Sequence, residues 1–225
     1  MLAPMAYAQT WHGLSKSEPS TVKTTLISSS EDQIVVKLEI PGFYEDKVTT
    51  PRGEASVISV PKTVSTFNAG EPALPVYGIP AVIGDKAYMK VYVKDSKFTD
   101  YEGIEIAPSK GDFPRSIDPA TVPFTYGEAY ERDEFFPSMQ VGLYEPYIIR
   151  DLRGQNMITY PFAYNPVTKT LRVYSEMTLV MYKSGNGGAN QIESRRSNVI
   201  KLDPDFKSLY SRHFINFESS MTKYT

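Results

Sequence analysis

The residues that could do chemistry in this chain are few, and the most pointed is an arginine. In "GDFPRSIDP" (111–119), Arg115 stands between Pro114 and Ser116, with Pro119 closing the stretch. A proline fixes its own φ and pushes the residue before it into extended backbone. Phe113 and Pro114 are therefore expected to present Arg115 with little further ordering cost on binding. A guanidinium is a planar fork of donors that fits a buried carboxylate. That is how an arginine would enter the specificity pocket of an arginine-cleaving protease, whose cleft accepts an extended segment as an added strand. The other reading is a solvated turn residue, and these residues taken alone favour it.

Other chemistry is thin. The two histidines, His12 and His213, fall in an expected N-terminal tail and on an expected helix, and neither has a nucleophile motif beside it. A serine triad needs a positioned base, and the chain has no G-x-S-x-G, P-loop or His-based metal motif. With no cysteine, disulfides, thiolates and zinc–thiolate sites are absent together. The acids of "YGEAYERDEFF" (126–136) invite a paired-acid or calcium reading, but a charged turn flanked by core aromatics accounts for them. We expect no catalysis, cofactor or metal. A binding module is then the default. Tyr88 and Tyr92 are candidates for stacking on carbohydrate, or else form a half-exposed strand face or a contact with the C-terminal helix.

The elements that must position these residues are mostly strands. "QIVVKLEI" (33–40), "ASVISV" (55–60), "AYMKVYVKDSKF" (87–98) and "TLRVYSEMTLVMY" (170–182) carry the apolar alternation of half-buried strands. The alternation puts Tyr88, Lys90, Tyr92 and Lys94 on one face and Met89, Val91 and Val93 on the other. "NMITYPFAY" (156–164) is a further strand, broken by Pro161, and "NPVTKT" (165–170) is a turn. Helix is expected once, from Asp203 as N-cap and Pro204 at the first helical position. Phe206, Leu209, Tyr210, His213, Phe214 and Phe217 then recur at helical spacing. "KSGNGGANQIESRRSN" (183–198) reads as a polar, mobile connecting loop, with Arg195-Arg196 a possible nick site by exposure. Arg150 and Arg153 read as structural charge pairs near Asp151. These signals predict a mainly β, antiparallel β-sandwich or jelly-roll-like domain over 9–202, with a short C-terminal helix in 203–225.

The chain has 225 residues, 24 basic and 26 acidic. A net charge of −2 gives no general attraction to nucleic acid or anionic membrane, so electrostatic recognition must be local. No segment approaches the roughly 18 apolar residues of a membrane span. "MLAPMAYAQT" begins with Ala6-Tyr7-Ala8, a pattern signal peptidase accepts, so residues 1–8 read either as a signal-peptide remnant or as a flexible N-terminus.

From about Val60 onward the chain resembles the N-terminal propeptide of the gingipain-type cysteine proteases, secreted Bacteroidetes enzymes that cleave after arginine or lysine. The segments that carry the resemblance are "GEPALPV" (70–76), "IAPSKG" (106–111), "DPATVPFTYGEAYERDEFFP" (118–137), "EPYIIRDLRGQ" (145–155), "YNPVTKTLRVYSE" (164–176) and "YSRHFINFESS" (210–220), in the same order. The resemblance implies a secreted or periplasmic β-sandwich prodomain that binds its catalytic domain as chaperone and inhibitor. It also implies that Arg115 occupies the protease's specificity pocket, flanked by Pro114 and Ser116, and that Lys223-Tyr224 is a processing junction. The alternative is a carbohydrate- or surface-binding module with no protease role.

Overall fold

The computed structural model describes residues 9–194 and 203–221. In chain order its first strands are β1 (Thr10–Gly13), β2 (Lys23–Ser29), β3 (Gln33–Glu39), β4 (Gly42–Thr50), β5 (Gly53–Ser59), β6 (Val64–Ser65) and β7 (Pro75–Val82). They are followed by β8 (Ala87–Tyr101), β9 (Val141–Leu143), β10 (Tyr147–Ile149), β11 (Leu152–Thr159), β12 (Phe162–Asn165) and β13 (Thr170–Asn186). Two helices, α1 (Pro204–His213) and α2 (Phe217–Met221), close the described chain.

The long strand β13 organises the largest sheet. β8 runs antiparallel along one of its edges, from Leu171↔Tyr101 to Asn186↔Ala87. The other edge is shared by β12 and then β3, with β2 outside β3. A second sheet is centred on β11, with β7 and then β6 on one side and β9 and β10 on the other. β1, β4 and β5 form a third, smaller sheet. Every strand pair is antiparallel, and the three sheets share one core. Val36, Phe43, Ile79, Met157, Leu179 and Met181 are buried together in it. Side chains of this size contribute roughly 1.5–3 kcal/mol each when fully buried.

Local sequence explains most of these elements. On β8, Ala87 and Met89 are buried while Tyr88, Lys90, Tyr92 and Lys94 are exposed, the alternation read from the sequence. Pro161 separates β11 from β12. Asn165 Oδ1 accepts from the Val167 and Thr168 amides and forms the predicted turn. Asp203 caps α1 by accepting from the Asp205 amide, with Pro204 following.

Four expectations are corrected. His12 lies in β1 and not in a tail: its ring stacks on Phe43 at 4.7 Å and its Nε2 is 2.8 Å from Glu45 Oε2. The predicted connecting loop begins later, because β13 continues to Asn186. The turn beyond it is anchored by Arg153, which donates to the carbonyls of Gly84, Ala87, Gly187 and Ala189 at 2.8–3.3 Å. Arg153 is thus a buried bracket for carbonyls and not half of a charge pair; burial lowers its pKa, with Asp85 opposing. Arg150 does pair with Asp151, at 3.5 Å. Finally, the apolar C-terminal stretch forms two helices, in which Leu209 is 42% exposed and His213 is exposed with its ring edge-on to Phe214 at 4.6 Å, while Tyr210, Phe214 and Phe217 are buried.

The break between the helices has a physical use. Asn216 is buried there, and its Oδ1 accepts from the Val82 amide at 2.7 Å while its Nδ2 donates to the Val82 carbonyl at 2.9 Å and to Ser29 Oγ at 3.2 Å. The side chain stands in for a neighbouring strand at the free edge of β7. The Ile215 amide adds a bond to the Pro80 carbonyl at 3.0 Å. Replacing Asn216 with alanine leaves both Val82 groups unpaired. We expect a loss of about 3 kcal/mol and a fall in Tm of roughly 6–12 °C, read by thermal circular dichroism. Arg153→Met removes the donor shared by four carbonyls, of which Gly84 O keeps the Ala87 amide at 3.1 Å. We expect faster amide exchange at 187–190 with the β8–β13 pairing retained, and exchange rates equal to wild type there would contradict the bracket role.

Candidate functional site

The segment that delivers Arg115 is hydrogen-bonded on both sides. On one side the Ser56 amide donates to Glu105 O at 2.6 Å and the Ala107 amide to Ser56 O at 2.9 Å. On the other, the Ala73 amide donates to Ala107 O at 3.1 Å, Ser109 to Glu71 O at 2.7 Å and Gly70 to Ser109 O at 2.9 Å. Ile106 and Ala107 are fully buried, and the buried Tyr130 hydroxyl donates to Ile106 O at 2.8 Å. The chain therefore reaches residue 110 on a fixed support.

The loop itself is tied at its base. Lys110 Nζ donates to Pro119 O at 2.8 Å and lies 4.3 Å above the Phe124 ring. Gly111 has φ +86°, and a Cβ there would meet Ala69 Cβ at 3.0 Å, so the tight return past Ala69 needs glycine. On the far side Asp118 Oδ1 accepts from the Ala120 amide at 2.9 Å and caps a short 3₁₀ turn, Pro119–Thr121. Between these ties the Ile117 amide donates to Pro114 O at 2.9 Å. Pro114, Arg115, Ser116 and Ile117 are all exposed. Arg115 and Ser116 are the two central residues of this turn, which corrects the expectation of an extended segment: one closing hydrogen bond bends the tip. Among the described residues the Arg115 guanidinium has no hydrogen-bond or ion-pair partner.

The remaining site residues lie apart from this loop. Tyr88 and Tyr92 are exposed on β8, and Tyr92 packs edge-on against Tyr182 at 5.8 Å. The acids of 126–136 form a charged turn: Arg132 reaches Glu128 at 3.6 Å and Glu134 at 3.5 Å, both exposed pairs of small value. No group of three or more His, Asp or Glu among the described residues is arranged to hold a metal. His213 Nε2 meets the Tyr147 hydroxyl at 2.8 Å, and burial lowers its pKa. Arg195, Arg196, Lys223, Tyr224 and residues 1–8 lie outside the described residues. No helix among the described residues is long and apolar enough to cross a membrane.

Sequence reasoning missed one polar cluster. Ser56 Oγ donates to Glu45 Oε1 at 2.6 Å, and Lys47 Nζ donates to the same oxygen at 2.7 Å and to Ser56 Oγ at 2.9 Å, beside His12. Burial opposes charge on Glu45, but the bonds from Lys47, Ser56 and His12 hold its carboxyl below the ordinary range. Ser56 is fully buried, so the cluster fastens β1, β4 and β5 and offers no open nucleophile. Only the register of the three strands, which puts Ser56 opposite Lys47, would have revealed it.

Comparison with known proteins places this geometry in a family. The description Propeptide_C25 matches residues 10–223, so the likeness begins well before Val60. Gingipain R1 of Porphyromonas gingivalis is 34% identical over 97% of the chain, and Gingipain R2 of the same organism is 31% identical over 98%. The chain spans 21% and 30% of those two proteins. The solved complex of P. gingivalis RgpB pro- and mature domains aligns with a TM-score of 0.79 at 33% identity, covering 87% of this chain and 97% of that one. A structure of gingipain K from P. gingivalis shares the fold, with a TM-score of 0.66 at 23% identity. By fold and by sequence from end to end, the chain belongs to the Propeptide_C25 family, the noncatalytic prodomains of gingipain-type proteases.

Proposed function

We propose that this prodomain keeps a secreted, arginine-specific gingipain-type cysteine protease inactive and assists its folding. Arg115 enters the specificity pocket, and Pro114 and Ser116 flank it in the cleft. The observation that carries this reading is a free arginine at the tip of a loop tied at both ends. The ties remove most of the ordering cost, so a charge-assisted pair in the pocket shows up as affinity. The tip must open from its turn to lie in the cleft, at the cost of one exposed hydrogen bond, about 1 kcal/mol. A related solved structure supports the partner: it is a complex of the pro- and mature domains of RgpB.

On the same reading, residues 1–8 are the end of an export signal. Lys223-Tyr224 is the junction cut on maturation, and Arg195-Arg196 is a second cleavage site. Cleavage after Lys223 fits a trypsin-like preference for basic residues and not a strict arginine specificity, and the Arg195-Arg196 site rests on its polar, glycine-rich sequence setting.

The test is inhibition of the RgpB mature domain on a small arginyl substrate. Arg115 is exposed and unpaired, so its replacement leaves stability within about 0.5 kcal/mol. Arg115→Ala is expected to weaken inhibition on the order of 10²–10³-fold, the cost of leaving a desolvated acidic pocket unpaired. Arg115→Lys keeps the charge but loses the two-pronged geometry and costs roughly tenfold. Undiminished inhibition by Arg115→Ala would rule out the anchor. Absence of inhibition by the wild-type chain would favour a surface-binding role for the exposed Tyr88–Tyr92 face.

A further inference from the structure

The outer face of the β11 sheet is covered along only part of its length. At the covered end a Cβ on Gly154 would stand 2.4 Å from Phe214 Cε1, so the glycine exists to seat that ring. Val82, Leu152 and Tyr147 complete the seat, and Tyr210 and Phe217 close over it. At the other end the same face carries a second glycine, Gly78, paired with Ile158. There the nearest neighbour is the Asn156 side-chain amide, 2.8 Å from a Cβ built on Gly78, and no aromatic ring is seated on the glycine. The result is an open hollow of about 560 Å³ floored by Val76, Gly78 and Ile158. Its walls include Val64, Phe67, Met139 and Tyr144, which are 56%, 59%, 54% and 60% exposed. One half of the face is thus closed over by the chain's own aromatic side chains, while at the other half a buried floor is ringed by exposed apolar side chains with nothing seated between them. Exposed large apolar side chains clustered around a hollow, here with Ser65, Thr66, Asn68, Glu71 and Asn156 among them, mark an interaction site, and Phe, Tyr and Met are the types enriched in interface cores.

We propose that this hollow takes a large apolar side chain of the same catalytic domain that receives Arg115, as a second contact. The proposal rests on the functional reading above, and continuity selects the occupant. Phe67 leads directly into Ala69, Gly70 and Glu71. Ala69 is the residue against which Gly111 turns, and Gly70 and Glu71 hold Ser109 at the root of the Arg115 loop. Glu71 also lines the hollow. A smaller depression of about 440 Å³, lined by Ala69, Glu71, Phe136 and Met139, joins the two features. A partner seated on the loop extends onto the hollow without crossing a gap. The arginine then supplies specificity, and the apolar contact lengthens residence.

The experiment measures the Kd of the 225-residue chain for the RgpB mature domain with its active-site cysteine alkylated. Phe67→Glu and Met139→Glu are made at exposed positions, and an unchanged Tm confirms their folding. Each is expected to raise Kd by about tenfold or more, and to do so again in an Arg115→Ala background. Wild-type Kd in both variants overturns the proposal while leaving the arginine anchor intact. Weakening by the two variants but not by Arg115→Ala instead removes the anchor and keeps the hollow. Sedimentation provides a separate check: self-association abolished by Phe67→Glu, with Kd for the mature domain unchanged, would assign the hollow to a second copy and overturn the proposal.

Discussion

The segment Glu105–Ser109 is the constraint on which the rest of the molecule depends. It is not part of any regular sheet, yet its backbone is bonded to Ser56 on one side and to residues 70–73 on the other. Buried backbone groups must find partners, and here the partners come from two separate regions of the chain. That arrangement joins the β1–β4–β5 sheet to the segment preceding β7. It also fixes the direction in which residues 110–119 leave the core. The Tyr130 hydroxyl on Ile106 O, in a ring cluster where burial pushes the tyrosine's pKa up, seals the support from below.

Function follows from the contrast between that support and the loop tip. The root is held by buried bonds, the base by Lys110 and Asp118, and the tip by a single turn bond. Rigidity therefore falls off toward Arg115 and leaves only the last residues to adjust on binding. A wholly flexible loop would lose affinity to ordering, and a wholly fixed one would have to match the cleft in advance. The C-terminal helices do a different job. Asn216 and Phe214 dock them on the edge and face of the β7–β11 pair, and they leave open the side of Gly78 that meets Val64 and Phe67. What they leave uncovered is as informative as what they cover.

Much of this was legible in the sequence. The alternation in 87–98 and 170–182, the break at Pro161, the Asn165 turn and the Asp203–Pro204 start each depend on residues close together in the chain, and each stands where the pattern put it. Arg115 was legible as a presented residue because prolines bracket it, and its role was legible only through resemblance. The failures share one cause. Arg153 looked like half of an ion pair because Asp151 is nearby in sequence, but its partners are carbonyls at 84, 87, 187 and 189. His12 looked like tail because nothing local required a strand, and its register with Phe43 comes from β4. The bare hollow is built from residues 64–78, 136–144 and 156–160, and no window of sequence contains it.

The most direct test of the central claim is a crystal structure of this chain bound to the mature domain of RgpB. In that complex the Pro114–Ile117 turn is expected to be open and the Arg115 guanidinium about 2.7–2.9 Å from a carboxylate inside the specificity pocket. A complex in which Arg115 remains in solvent, with another segment of the chain filling the cleft, would contradict it.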